Sequence, residues 1–107
     1  MSHRIEKWNE VLRRHAATYI ERESNRDALI SVTHVELNES MSYATIYISV
    51  LPESKEEASL FFMKRQLTGL RTYIKQHAPG RVLPFLNVEI DRGEKNRQLI
   101  DRIDISQ

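Results

Sequence analysis

Tyr43-Ala44-Thr45-Ile46-Tyr47-Ile48-Ser49-Val50 decides the fold of this chain. Ala44, Ile46, Ile48 and Val50 alternate with Tyr43, Thr45, Tyr47 and Ser49, so one face is apolar and the other polar or aromatic. A period of two over eight residues specifies a half-buried strand. The expected strand covers residues 43–51 and ends at Pro52. Upstream, Ile30-Ser31-Val32-Thr33-His34-Val35-Glu36-Leu37 also alternates, but its phase changes after Val32. That change predicts a bulge in a strand over 30–37. The connection Asn38-Glu39-Ser40-Met41-Ser42 is short and polar, which predicts an antiparallel hairpin.

Helical spacing flanks the hairpin. Ile5, Trp8, Leu12, Ala16 and Tyr19 form an apolar stripe over 5–22, with Trp8 read as core or as a lid over the sheet. Ser54-Lys55-Glu56-Glu57 has the pattern of a capping box, which also accounts for the acidic start of the next helix better than catalysis does. That helix is expected from 55 to 78 on Leu60, Met63, Leu67, Leu70 and Ile74, with a kink at Gly69 and a stop at Ala78-Pro79-Gly80. Residues 83–90 read as a third strand with Leu86, Val88 and Ile90 on one face, and Pro84 lies at its start. Asp91-Arg92-Gly93 turns the chain. Leu99, Ile100 and Ile103 anchor an expected last helix over 94–104. The order α-β-β-α(kinked)-β-α makes an α+β fold: a three-stranded sheet with helices packed on one face. A length of 107 residues fits one domain spanning 1–107.

Composition excludes several functions. There is no cysteine, which removes disulfides, thiolate metal sites and cysteine nucleophiles. The four histidines have no ligand spacing, so no metal site and no cofactor are expected. No nucleophile elbow or glycine-rich phosphate loop is present, which argues against an enzyme with a small-molecule substrate. With no signal-peptide core at the start and no long apolar run, a soluble cytoplasmic protein without membrane contact is expected.

The net charge is only +1, but it is segregated along the chain. Residues 23–57 carry two basic and seven acidic groups, whereas residues 58–88 carry five basic groups and no carboxylate. At 100° per residue, Lys64, Arg71 and Lys75 fall within about 40° of one another, with Arg65 to one side. Such a face reads a phosphate backbone; the alternative is a solvated helix surface that happens to be basic. His77 is placed to touch a phosphate. Tyr43 and Tyr47 share a strand face that either stacks bases or packs cross-strand neighbours, and packing is the commoner role.

Taken together, several segments resemble the ribosome-binding factor A family. They are His34-Val35-Glu36-Leu37 running on through Tyr43–Val50, the pair Leu70-Arg71, and Arg81-Val82-Leu83-Pro84-Phe85-Leu86 with Val88 and Asp91. The N-terminal helix and Asn25-Arg26-Asp27 match loosely. Leu67 stands where the family has alanine two residues before the kink glycine, and Phe85 and Val88 replace its more typical Glu and Phe. The resemblance implies a KH-like domain of the second type, with a helix–kink–helix in place of the usual loop. It also implies a monomeric, non-enzymatic assembly factor. Such factors bind the immature small (30S) ribosomal subunit and 16S rRNA and assist maturation of its 5′ region, notably in the cold. Joined to the charge pattern, it assigns phosphate contacts to Lys64, Arg65, Arg71, Lys75 and Arg81. Thr68 and Gly69 shape the kink, and Arg13 and Arg14 extend the surface. The competing reading is a protein-interaction adaptor docking through the acidic 23–57 region.

Overall fold

The computed structural model describes residues 3–24 and 27–93. The first helix, α1, spans His3–Glu23, and two strands follow, β1 at Leu29–Leu37 and β2 at Tyr43–Leu51. A 3-10 turn at Glu53–Lys55 leads into α2, Glu56–His77, and β3 runs from Phe85 to Ile90. The expected helix over 94–104 lies outside the described residues.

The sheet has the order β1-β2-β3, so the strand with the cleanest alternation is central. β1 pairs antiparallel with β2, and the register slips between Val32 and His34, where the sequence changes phase. Thr33 is the extra residue of this bulge, and its hydroxyl donates to Asp91 Oδ2 at 2.7 Å. In the hairpin, Asn38 Oδ1 accepts from the backbone N–H groups of Ser42 at 2.9 Å and Tyr43 at 3.0 Å. β3 pairs parallel with β2, which requires the long α2 crossover between them.

Both helices cover the Ile46 face of the sheet. One core cluster joins Trp8, Leu12, Ala16 and Ile20 of α1 to Ala44, Ile46, Ile48 and Val50 of β2. Met63, Leu70 and Ile74 of α2 close it, with Leu83, Val88 and Ile90. Burying a side chain such as Ile46 or Ile48 contributes about 1.5–3 kcal/mol before entropy is counted. In α1 the buried stripe ends on Ile20, which continues the i+4 steps from Leu12 and Ala16, and Tyr19 turns toward α2.

One local expectation is corrected. The Ser54–Glu57 capping box does not form: Lys55 occupies the N-cap of α2, and no side chain caps that end. The Lys55 N–H donates to Pro52 O at 2.9 Å, which closes the 3-10 turn and places Ser54 inside it. At the expected kink, the hydrogen-bonded helix α2 continues through Gly69 to His77. The glycine is there because a Cβ would overlap Tyr19 Oη of the crossing α1.

Candidate nucleic-acid interface

The solvent side of α2 carries the basic residues, because its opposite side is committed to Met63, Leu70 and Ile74. Lys64, Arg65 and Lys75 are all exposed. On an unbroken helix Lys64 and Lys75 differ by about 20° in azimuth and stand about 16 Å apart along the axis. Thr68 is exposed on the same side, between them. Lys64, Thr68 and Lys75 lie along one line with Arg65 to its side, and the three cations make this a basic strip.

The other assigned residues are placed differently. Arg71 is half-buried: its Nη1 donates to Pro84 O at 2.5 Å and its Nη2 to Leu83 O at 3.4 Å. Its guanidinium therefore ties α2 to the segment entering β3. The Arg81 guanidinium lies 4.7 Å over the Trp8 ring, which makes it a lid on the core as well as an exposed cation. Gly69 faces α1 and takes no part in the strip. Arg13 is paired with Glu10 at 2.6 Å, and this bond holds the Glu10 carboxyl below its usual range. Arg14 is exposed nearby.

One cluster escaped the sequence reading. His15, Tyr19 and Arg22 of α1 meet Tyr73 and His77 of α2. The Tyr73 and His77 centroids are 4.0 Å apart, and those of His15 and His77 are 5.7 Å apart. His77 Nδ1 lies 2.8 Å from Tyr73 O, so its own helix engages one ring nitrogen while the residue stays exposed. Burial lowers the His15 pKa, and His77 and Arg14 push it the same way. The available signal was the i, i+4 pairing of rings on both helices, His15 with Tyr19 and Tyr73 with His77.

Tyr43 and Tyr47 point to the helix-free face of the sheet. Tyr47 stacks on His34, with centroids 4.5 Å apart and an interplanar angle of 11°. Burial raises the Tyr47 pKa, and the carboxylates Glu36, Glu89 and Asp91 raise it further. Packing is thus the role of Tyr47, and the surrounding negative charge is hostile to a nucleic-acid backbone. Among the described residues, no cluster of three or more His, Cys, Asp or Glu has the geometry of a metal site. Nor is any described helix long and apolar enough to cross a membrane.

Comparison with known proteins gives a consistent result. The sequence model described as "Ribosome-binding factor A" matches residues 4–103. A ribosome-binding factor A of Dehalococcoides mccartyi strain 195 is 30% identical over 111 residues, covering 96% of this chain and 94% of the relative. One from Thermomicrobium roseum is 29% identical over 105 residues, covering 95% and 81%. The crystal structure of ribosome-binding factor A from Thermus thermophilus superposes with a TM-score of 0.74 at 24% identity, covering 82% of this chain and 96% of that one. A homology model of the Thermus thermophilus factor, fitted into a cryo-EM map of its complex with 30S, gives a TM-score of 0.67 at 22% identity, covering 87% and 97%. At these identities the structural likeness speaks for the fold, which is α+β and KH-like of the second type.

Proposed function

The chain belongs to the ribosome-binding factor A family, and on that premise we propose that it binds the immature small (30S) ribosomal subunit through the solvent side of α2. Bound there, it assists maturation of the 5′ region of 16S rRNA. The family is non-catalytic, so the protein acts by occupying a site rather than by turning over a substrate. It does so as a cytoplasmic monomer, with residues 1–107 acting as one domain.

The observation that carries this reading is the cationic strip in a carboxylate-free segment. Lys64, Arg65 and Lys75 are exposed together, and residues 58–88 supply no counter-charge. Three such groups neutralise about three phosphates and release their counterions, which makes binding steeply salt-dependent. Thr68 adds a hydroxyl donor between them. Arg71 and Arg81 support the strip by holding the segment at 81–84 in place, and Arg14 widens the basic surface. Contacts to phosphate and sugar orient the protein and carry little sequence information. The small subunit's shape then selects the site.

The test is a density gradient of the full-length protein with small subunits from cells that accumulate precursors. Comigration with precursor subunits at low salt, lost as salt rises, is the expected result. A protein that stays at the top of the gradient at low salt contradicts the proposal.

A further inference from the structure

The face of the sheet turned away from the helices has a chemistry opposite to that of α2. The register sets Glu36, Thr45 and Asn87 in one cross-strand row and His34, Tyr47 and Glu89 in the next. At one end Tyr43 and Phe85 are direct neighbours, 44% and 74% exposed. No position that the register puts on this face is Lys or Arg. Lys64 and Arg92 only border it, at the β3 edge. Beneath the rows, Asp91 is buried and its Oδ2 also lies 3.4 Å from His34 Nδ1, while His34 Nε2 lies 3.3 Å from Glu36 Oε1. These contacts fix the Tyr47–His34 stack and the carboxylates around it in one arrangement.

We propose that this face binds an extended, Lys/Arg-rich protein segment. Charge complementarity chooses the class of partner. Glu36 and Glu89 stand on the face itself, while Lys64 and Arg92 reach only its β3 edge, so the open part of the face repels a phosphate backbone and attracts ammonium and guanidinium groups. The exposed rings point the same way. Phe85 stabilises nothing by standing in water, whereas it and Tyr43 together offer π faces to a desolvating guanidinium. Spacing fits an extended occupant. Phe85, Asn87 and Glu89 recur at every second residue, about 6.8 Å apart, which is the repeat of alternate side chains in an extended chain. A segment with cationic residues at alternate positions therefore meets the aromatic pair first and the two acidic rows after it. This surface meets the α2 strip only at Lys64 and takes in neither Arg65 nor Lys75, so the proposal does not depend on the reading of that strip.

The experiment is a titration of the 15N-labelled full chain with a twelve-residue peptide of alternating Arg and Thr. Saturable shifts confined to amides around Glu36, Tyr43, Tyr47, Phe85 and Glu89 are expected. The double variant Glu36→Gln/Glu89→Gln should weaken binding at least about five-fold, and Phe85→Ser at least about three-fold. All three positions are exposed, so circular dichroism should be unchanged. Lys75→Glu, on the far strip, should leave the affinity as it was. The proposal is overturned by absence of saturation at about 1 mM peptide. Shifts elsewhere, or parent-like affinity in the carboxamide pair, also overturn it. So does oligouridine binding to this face, or concentration-dependent self-association that moves the same amides.

Discussion

The Tyr19 phenol fills the space that a Cβ at residue 69 would need, and its Cζ lies 3.2 Å from that point. Tyr19 is held there: its hydroxyl donates to Gln66 Oε1 at 3.3 Å, and its ring centroid is 5.5 Å from that of Tyr73. Glycine inside a helix costs about 0.5–1 kcal/mol relative to alanine, so Gly69 is retained for the helix crossing. Gly69→Ala is expected to destabilise the protein by about 1–2 kcal/mol through overpacking. In a Tyr19→Ala background the same change should stabilise by about 0.5–1 kcal/mol, because only helix propensity remains. A double-mutant cycle in urea reads the reversal of sign. The same sign in both backgrounds would contradict the account.

Arg71 and Lys75 lie one turn apart and should behave oppositely. Arg71→Ala removes charged donors from two backbone carbonyls and should cost about 1.5–3 kcal/mol of stability. Lys75→Ala should stay within about 0.5 kcal/mol while weakening subunit binding. Denaturant midpoints measured on both variants separate the anchor from the contact.

Asn38 organises the β1–β2 hairpin by accepting two backbone N–H groups with one oxygen. Asn38→Ala should cost about 1 kcal/mol, seen as a lower urea midpoint with an unchanged slope. Asn38→Asp keeps the acceptor and should recover most of the loss.

His15 gives the stability a pH dependence. Its folded-state pKa lies below the ordinary 6.5, mainly through burial. The unfolded chain therefore binds more protons at this site. The contribution is complete above about pH 6.5 and is lost as pH falls from there through the lowered folded value. His15→Gln should flatten the decline in urea midpoint between about pH 7.5 and pH 5.

Much of the fold was legible because β2 obeys a strict period of two, and the slip after Val32 sat where the phase of the sequence changes. What stayed hidden depends on contacts between distant segments. Gly69 looks like a kink in its own helix, and its purpose appears only when Tyr19 is set beside it. Arg71 shares an azimuth with Lys64 and Lys75, but its longer, forked head reaches back to Leu83 and Pro84. The Ser54–Glu57 pattern was overruled by the turn that starts at Pro52. Linear charge counting grouped Glu36 with the carboxylates of 53–57. The register instead sets Glu36 in the sheet face with Glu89, a residue from another segment.

The most direct test of the central claim is the affinity of Lys64→Glu/Lys75→Glu for precursor small subunits, measured by gradient comigration across a salt series. Both side chains are exposed, so the fold should be retained. The account predicts binding weakened at least about ten-fold at low salt, with a shallower salt dependence than the parent. Parent-like comigration with an unchanged salt slope would contradict it.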